Sequence, residues 1–414
     1  MKTIFLPCCF LILLMNLLVS QAFSHDQLVF GILNNTTDRR EMILNEAESI
    51  GLQAYIIGPE STINLPRKSI TDVKILRNGR IVSSTEWYPL PTVVYDFSFM
   101  ANKSDDIKRK YSEIHSILEA LGVVYMNPVK VTKICKYKQL YANLLEDNQI
   151  PHPETSLFTE EVFFEFLDKY RIVYLKPTDG NKGKGIINIV RNKKSNGSFD
   201  VNYIVNSSDS KFEKVLLRKI KRSELINVIE KAKKTMKCRN KEYIVQEGIQ
   251  MIPIKKKNHH IRAYTLRSTN GDLIDPIFFG KIGGHRGAGG VTEDYRRIVD
   301  FVAKNSRRTS EEIIFDLNEI TKKIHLAIES EIGEYTADLG HDLVISEEGE
   351  VITIETNLKS GQPVFIRKNG IDCSEDLFSN PMIIVHLLAN QFERERAIAR
   401  FAFFKAKKHT CHRI

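Results

Sequence analysis

The stretch that most constrains the fold is residues 341–357, which read "HDLVISEEGEVITIETN". Apolar and polar residues alternate on both sides of the Glu-Gly pair at 348–349, which predicts two strands joined by a tight two-residue turn. With that turn as the centre, Asp342 falls opposite Glu355. Because side chains alternate between the faces of a strand, Glu355 and Asn357 share one face. The predicted register therefore sets two carboxylates across from each other with a carboxamide beside them.

Two like charges directly opposite in a sheet repel each other and destabilise it. A divalent cation between them would remove the conflict, and ligands that are all hard oxygens suit Mg²⁺ or Mn²⁺. Ile352 and Ile354 are assigned to the buried face, so the acidic face looks into a cleft or into solvent. On the residues alone, a solvated acid pair on an exposed strand stays open as the alternative. The metal interpretation assigns Asp342, Glu355 and Asn357 as ligands.

A second candidate site is the segment 174–186, "YLKPTDGNKGKGI", in which Lys176 precedes a glycine-rich loop. The glycines of this loop are Gly180, Gly183 and Gly185. Their spacing matches neither a Walker loop nor a dinucleotide-binding fingerprint. By itself the loop fits a phosphate-binding loop and a solvated turn equally well. Together with the acid pair, it favours Lys176 as a phosphate ligand and the loop as a lid, while Lys182 and Lys184 stay undecided.

The order of strand-like and helix-like segments gives the domain organisation. Strands alternate with helices over residues 27–128, which predicts a small α/β unit with a largely parallel sheet. The whole chain of 414 residues is expected to be an α/β (α+β) protein with more than one domain. The expected segments are a leader at 1–24, an α/β domain at 25–128, a larger domain at 129–390, and a basic helix and tail at 391–414.

The N-terminus has the layout of a secretory signal, with one lysine, an uncharged apolar run, and then small and polar residues. The uncharged run is also long enough to span a bilayer. We therefore expect a secreted protein, or one anchored to a membrane through this segment. A cytoplasmic protein with a mis-assigned start codon is the alternative.

Composition narrows the functional classes. Hydrophobic residues make up 42% and charged residues 27% of the chain, which excludes a disordered protein. The net charge of +9 favours anionic partners, although a mildly basic surface without a partner explains it equally well. No C-x-x-C spacing indicates a sulfur-ligated metal. No interleaving of aromatic and basic residues marks a nucleic-acid groove, so nucleic acid is not an expected partner.

The motifs together resemble one family. Asp342, thirteen positions before Glu355, resembles the metal signature of ATP-grasp ligases. Lys138 begins a predicted helix in the manner of their first ATP lysine, and "YLKP" resembles the segment that carries the second, Lys176. "YIVQEGI" is similar to the hinge between the two lobes of these enzymes. In detail the chain looks most like the YheC/YheD-type endospore coat-associated ATP-grasp proteins, over roughly residues 130–363.

That resemblance implies an ATP-grasp fold with an N-terminal Rossmann-like pre-ATP-grasp domain. It also implies an ATP-dependent ligase that joins an unidentified carboxylate to an unidentified amine through an acylphosphate, with two Mg²⁺ (or Mn²⁺) ions. The implied ATP-binding residues are Lys138, Lys176, Gly180, Gly183, Lys184, Gly185, Gln246, Glu247 and Ile249. The implied catalytic residues are Arg262 and Lys281.

The chain also departs from the family pattern. In "HHIRAY", His259 and His260 stand where an acidic residue and its neighbour are usual. Gln246 stands where many relatives have a ribose-binding glutamate, and Lys281 where related chains often have arginine. These departures leave catalytic turnover open. A non-catalytic nucleotide-binding protein of a spore coat or cell-surface layer, and a kinase that uses the same clamp, are the alternative functions.

The second glycine-rich loop, "GGHRGAGG" at residues 283–290, carries His285 and Arg286. These two side chains either contact the substrate or lie exposed on the loop, and the sequence does not decide between the two.

Overall fold

The computed structural model describes a defined part of the chain. The described residues are 28–34, 41–98, 103–179, 183–192, 197–206, 212–268, 271–283, 291–358, 398–402 and 405. The predicted leader, together with Gly180, Lys182, His285 and Arg286, lies outside them, as does most of the predicted C-terminal segment. Within these ranges no helix has both the length and the apolar character that crossing a membrane requires.

The first part of the chain forms an α/β layer. Its strands are β1 (Val29–Leu33), β2 (Gln53–Ile57), β3 (Thr62–Asn64), β4 (Ser69–Thr71), β5 (Val73–Arg77), β6 (Arg80–Ser84), β7 (Tyr88–Pro89), β8 (Val93–Asp96) and β9 (Val124–Tyr125). Its helices are α1 (Glu41–Ser49) and α2 (Asp105–Ala120). Among the described residues, six strands pair in the order β6-β5-β2-β1-β8-β9, and β2-β1-β8-β9 are parallel, as predicted.

Helix α2 shows why this layer forms. The Ser104 side chain caps its first turn by accepting a hydrogen bond from the Ile107 amide, and two aspartates follow, whose charge favours the positive end of the helix dipole. Tyr111, Ile114 and Leu118 are buried and recur at helical spacing. This stripe packs on the sheet with Val94 and Tyr125, so the helix covers one face of the parallel strands.

A second, antiparallel sheet follows two linking helices. The elements are α3 (Val129–Lys136), α4 (Lys138–Asp147), β10 (Thr155–Leu157), α5 (Glu160–Lys169), β11 (Ile172–Pro177), β12 (Ile187–Arg191), β13 (Ser198–Asn206), β14 (Phe212–Lys221), α6 (Leu225–Thr235) and β15 (Tyr243–Glu247). The strand order is β10-β15-β11-β12-β13-β14. On β11, Val173 and Leu175 are buried in the core, while Tyr174 and Lys176 are half-buried on the other face. That second face is therefore open to a ligand.

The third sheet carries the predicted metal hairpin. Its elements are β16 (His259–Leu266), β17 (Ile277–Ile282), β18 (Val291–Glu293), α7 (Tyr295–Ala303), α8 (Ser310–Ile332), β19 (Asp338–Ile345) and β20 (Val351–Asn357). The order is β18-β17-β16-β19-β20, so β19 lies between β16 and β20. Helix α8 begins with a capping box between Thr309 and Glu312 and ends at Gly333 in the left-handed conformation (φ 71°). Its buried residues pack on β16 and β19 in one core.

The turn of the hairpin is longer than the predicted two residues. The amide of Ser346 donates to the carbonyl of Glu350 at 2.9 Å, which leaves residues 347–349 between them. Gly349 has φ of 89°, a conformation that glycine adopts without strain. The three-residue loop with a left-handed glycine shifts the pairing by one position relative to the prediction.

A second irregularity reverses that shift. Leu343 pairs with Thr353 rather than with Ile354, and the register changes between Leu343 and Asp342. Beyond this bulge, Asp342 pairs with Glu355. The predicted opposition of the two carboxylates is therefore present, although the turn from which it was deduced was wrong.

The predicted buried face of β20 was also wrong. Ile352 and Ile354 are half-buried, whereas Val351 and Thr353 are 2% and 0% exposed. The bulge adds one residue to this strand. The alternation of side chains between the buried and the exposed face is therefore interrupted between Ile354 and Glu355. Thr356 continues the buried face beyond the bulge.

Asn127 joins the first sheet to the open end of the hairpin. Its Nδ2 donates to the carbonyls of Asp338 (3.0 Å) and Leu358 (3.3 Å), and its Oδ1 accepts from the amides of Ala337 (2.9 Å) and Asp338 (3.4 Å). The Tyr95 hydroxyl donates to Asp338 Oδ2 at 2.6 Å. One side chain thus contacts the beginning of β19 and the residue after β20, which fixes the position of both strands.

Replacing Asn127 by alanine is expected to lower the free energy of unfolding by about 2–4 kcal/mol, because several part-buried backbone groups lose their partner. Urea-induced unfolding measures the change. Asn143→Ala, in an exposed position of α4, is the matched control and should stay within about 0.5 kcal/mol of the parent chain. Equal stability of the two variants would show that Asn127 does not tie the sheets together.

Candidate active site

An ion pair lies at the centre of the cleft face of the third sheet. Arg262 on β16 pairs in register with Asp342 on β19, and the two side chains point the same way. Arg262 donates from Nε to Asp342 Oδ1 (2.5 Å) and from Nη2 to Oδ2 (2.8 Å). Both side chains are only 11–13% exposed. This two-bonded arrangement is the strong form of an arginine–carboxylate pair.

The two carboxylates of the hairpin have pKa values displaced in opposite directions. Burial by itself raises the pKa of Asp342, but Arg262, with a contribution from Lys281, holds it well below the ordinary value. Burial, and then the neighbouring Asp342 charge, raise the pKa of Glu355. Glu355 is accessible to solvent from the cleft, and the Arg262 charge opposes the rise in its pKa. Asp342 is thus ionised, and Glu355 is the carboxylate whose ionised form an added cation would stabilise most.

Asn357 completes a three-membered group of side chains. Its Nδ2 donates to Asp342 Oδ2 and to Glu355 Oε1, both at 3.2 Å. Turning the amide would present its oxygen to the same point, so three oxygen ligands can converge there. In the described part of the chain no group of three His, Cys, Asp or Glu side chains could hold a metal. The two carboxylates and the Asn357 amide oxygen together fit a hard cation that also takes water or phosphate oxygens, such as Mg²⁺.

The two predicted phosphate lysines lie near Glu355. Lys138 begins α4, and its amide donates to the Thr178 carbonyl at 3.0 Å, which ties the helix to the end of β11. Burial lowers the pKa of Lys138 and lowers the pKa of Lys176 to about 8, and the Glu355 charge opposes both shifts. The fold therefore brings two amines from different elements beside one carboxylate.

One of the predicted hinge residues, Gln246, contacts Lys176 directly. Gln246 on β15 accepts from Lys176 Nζ through Oε1 at 2.5 Å and donates from Nε2 to Thr155 Oγ1 at 2.8 Å. The Glu247 amide donates to the Glu154 carbonyl at 2.9 Å, so that amide is used within the sheet and is not offered to a nucleotide. Ile249 follows β15 directly and is half-buried. The segment therefore lies beside Lys176, as the predicted nucleotide site requires.

The described end of the glycine-rich loop is attached to the second sheet. Gly183 and Gly185 have φ of 65° and 78°. A Cβ on Gly185 would lie 2.7 Å from Pro177 Cγ, so no other residue fits there without a shift. Lys184 between them is exposed. This end is anchored to β11, and a lid that closes on a ligand stays a prediction.

Lys281 extends the cationic side of the cleft, and His260 lies beside it. They pair in register on β17 and β16, and His260 Nε2 lies 4.0 Å from Asp342 Oδ1. Burial lowers the pKa of His260 to about 4 although Asp342 opposes the shift, so the ring is neutral at pH 7. His259 points to the other face, is 2% exposed, and neither ring nitrogen has a partner among the described residues. His259 is therefore not part of this group.

Several polar residues behind the site were missed at the sequence level. His341 and Thr356 are 0% and 4% exposed and lie on the core side of the strands that carry Asp342 and Glu355. The available signal was strand alternation, since a polar residue next to a cleft-facing acid must face the core and must find a partner there.

Comparison with known proteins finds a matching family and related structures. The YheC/D-like ATP-grasp family model matches residues 122–388. The endospore coat-associated protein YheD of Bacillus subtilis (strain 168) is 22% identical over 331 residues, which cover 78% of this chain and 67% of that protein. The D-alanine–D-alanine ligase of Coxiella burnetii superposes with a TM-score of 0.50 at 13% identity, covering 94% of this chain and 96% of the other.

A further structural match has a lower score. The macrocyclase MdnC of Microcystis aeruginosa MRC, solved with the precursor peptide MdnA, has a TM-score of 0.48 at 12% identity. The match covers 81% of this chain and 92% of MdnC. The family match and the ligase superposition confirm the predicted fold class, a mixed α/β ATP-grasp fold with an N-terminal Rossmann-like domain.

The lowered pKa of Lys176 predicts a pH-dependent stability. The folded amine releases its proton near pH 8, whereas the unfolded one releases it near 10.5. Between these values the unfolded state binds more protons, so the free energy of unfolding rises with pH. From pH 8 to 10 the parent chain should gain about 1–2 kcal/mol relative to Lys176→Met, measured by urea unfolding. The exposed-lysine variant Lys231→Met should follow the parent chain, and a flat difference for Lys176→Met would contradict the predicted shift.

Proposed function

The chain belongs to the YheC/D-like ATP-grasp family, and we propose that it is an ATP- and Mg²⁺-dependent ligase that joins a carboxylate to an amine. The observation that carries this proposal is the convergence of the hairpin group Asp342, Glu355 and Asn357 with Lys138 and Lys176. These residues come from three separate stretches of the chain.

The lysines and the hinge would bind the nucleotide. Lys138 and Lys176 would contact the phosphates, whose negative charge would raise the pKa of both amines toward the ordinary value. Gln246 holds Lys176 in place, and the backbone of Glu247 and Ile249 would contact the adenine. Because the Glu247 amide already donates to Glu154, its contribution would come from the carbonyl. The loop at 183–185 would cover the phosphates and, with Gly180 and Lys184, exclude water.

The hairpin would hold the metal. Asp342, Glu355 and Asn357 would bind one or two Mg²⁺ ions, with Mn²⁺ as the substitute. When bound, the metal supplies charge neutralisation to the phosphates and orients them. Burial and the neighbouring Asp342 charge raise the pKa of Glu355, and a cation bound between the two carboxylates would offset both effects.

The cationic side of the cleft would stabilise the reacting groups. In the proposed reaction a substrate carboxylate oxygen attacks the γ-phosphorus of ATP, and the bond to ADP breaks. The amine then attacks the acylphosphate carbon, inorganic phosphate leaves, and a proton is lost from the nitrogen. Arg262 and Lys281 would stabilise the negative charge on the transferred phosphoryl group and the acylphosphate. Arg262 is held in this position by Asp342.

The domain limits and the location of the protein are also proposals. We assign residues 25–128 to the pre-ATP-grasp domain, 129–390 to the ATP-grasp domain and 391–414 to a basic tail. The segment 1–24 would direct the protein to the secretory pathway or anchor it to a membrane.

A second candidate function is a non-catalytic nucleotide-binding protein of a spore coat or surface layer. The Bacillus subtilis relative, the endospore coat-associated protein YheD, favours this function.

Conversion of one hairpin carboxylate tests the metal site. Glu355→Gln should weaken Mg²⁺-dependent ADP binding by about 10- to 100-fold, because the side chain loses its negative charge and one of its two ligand oxygens. Isothermal titration calorimetry with ADP, with and without Mg²⁺, measures this effect. Glu348→Gln, on the turn of the same hairpin and exposed, is the matched control and should bind as the parent chain does. Unchanged binding by Glu355→Gln would remove Glu355 from the metal site.

Release of ADP separates the two functions. We expect ADP to appear from ATP only when a carboxylate and an amine are both supplied, and a set of amino acids provides the first screen. Nucleotide binding without ADP release under any pairing would favour the non-catalytic function. Absence of ATP and ADP binding by the full chain would contradict both.

A further inference from the structure

A chain of buried hydrogen bonds runs behind the candidate site. Thr356 lies between Glu355 and Asn357, and its Oγ1 has two partners on different elements. One is the Tyr141 hydroxyl on α4 at 2.6 Å, and the other is His341 Nδ1 on β19 at 2.8 Å. All three side chains are less than 5% exposed. A single hydroxyl therefore joins the helix that begins at Lys138 to both strands of the hairpin.

The chain of hydrogen bonds continues through the core to α8. His341 Nε2 lies 2.9 Å from Thr265 Oγ1 on β16, and the same oxygen lies 2.6 Å from His325 Nδ1. His325 Nε2 lies 3.0 Å from Glu329 Oε1. Thr265 and His325 are fully buried, so no water competes for these bonds.

Glu329 determines which atom donates in each hydrogen bond of this series. Arg267 donates to both of its oxygens, and the pKa of Glu329 is held at about 2, so it is a carboxylate that only accepts. His325 Nε2 lies 3.0 Å from Glu329 Oε1 and 3.0 Å from the Thr336 hydroxyl oxygen. Because the Thr336 hydroxyl donates to Glu329 and the carboxylate only accepts, His325 donates from Nε2. Its pKa is lowered by burial, so the ring is neutral and Nδ1 accepts from the Thr265 hydroxyl.

The same reasoning extends to the candidate site. Thr265 has one proton and donates it to His325, so it must accept from His341 Nε2–H. His341 is fully buried and its two hydrogen-bond partners are neutral hydroxyls, which favours a neutral ring whose Nδ1 accepts from Thr356. Thr356 then accepts from Tyr141. In all five hydrogen bonds the donor therefore lies on the α4 side and the acceptor on the Glu329 side.

We infer that Thr356 is a positioning residue that sets the distance between Lys138 and the metal hairpin. It acts as part of one directional chain of hydrogen bonds, whose members are Tyr141, Thr356, His341, Thr265, His325 and Glu329. Tyr141 lies one turn after Lys138 on α4, and His341 is the neighbour of Asp342. Thr356 is flanked by the two other hairpin ligands. The inference rests on the proposed function, because it assigns to these bonds the alignment of a nucleotide with its metal.

Two replacements of Thr356 test the role. Thr356→Val keeps the shape but leaves the Tyr141 hydroxyl and His341 Nδ1 without partners, whereas Thr356→Ser keeps both bonds. We expect Thr356→Val to bind Mn²⁺ in the presence of ADP about 10- to 100-fold more weakly, by electron paramagnetic resonance titration of the full chain. Thr356→Ser should retain the parent affinity. Tyr141→Phe should weaken binding less than Thr356→Val, because Thr356 still donates to His341.

The outcomes distinguish this inference from the proposed function. Parent-like Mn²⁺ affinity in a folded Thr356→Val chain overturns the positioning role alone. A parent chain that binds no Mn²⁺ with ADP overturns the proposed function and leaves nothing to position.

Nitrogen-15 NMR of the histidine rings tests the direction of the chain without a ligand, also where Thr356→Val fails to fold. We expect the Nε2–H tautomer for both His341 and His325 at neutral pH. An Nδ1–H tautomer or a cationic ring at either position overturns the assignment.

Discussion

The opposition of Asp342 and Glu355 across two antiparallel strands is the constraint on which the rest of the site depends. The backbones that carry the two carboxylates cannot separate, because their strands are paired in register. The first relief comes from Arg262, which gives Asp342 two hydrogen bonds and leaves Glu355 with the unfavourable share of the repulsion. Removing one partner from a buried ion pair leaves the other charge uncompensated, so these groups are coupled. The site is therefore held in an arrangement that a cation improves.

Holding two like charges together requires a rigid frame, and the described residues supply it from two directions. Asn127 fixes the open end of the hairpin to the first sheet with hydrogen bonds to the beginning of β19 and to the residue after β20. Behind the strands, Thr356 and His341 connect to Glu329 and its partner Arg267. Thr356, His341, Glu329 and Arg267 are polar, buried and hydrogen-bonded. Their use in place of apolar residues favours directional positioning over simple burial.

The sequence predicted the fold through motifs rather than through local geometry. The order of the lysines, hinge and acid pair gave the family, and the parallel strands followed from the alternation of elements. The opposition of Asp342 and Glu355 was deduced from a two-residue turn that does not exist, and a bulge restored the register. Local pattern cannot reveal such a bulge, because it arises from pairing with β19. The contacts of Asn127 and Arg262 were equally out of reach, since their partners lie about 80 or more positions away in the chain.

The balance of charge in the cleft adds a physical reason for an anionic ligand. Burial lowers the pKa values of Lys138, Lys176 and His260, although a carboxylate opposes each shift. Lys281 and Arg262 add positive charge on the same sheet face and act to lower the pKa of His260 further. Among the described residues of the cleft, the cationic side chains therefore outnumber the two carboxylates. These cationic side chains are Lys138, Lys176, Arg262 and Lys281. A polyphosphate would supply the missing negative charge to the lysines, and a divalent cation would supply positive charge to Glu355. Because each ligand relieves a different deficit in the same cleft, binding of one creates the favourable field for the other.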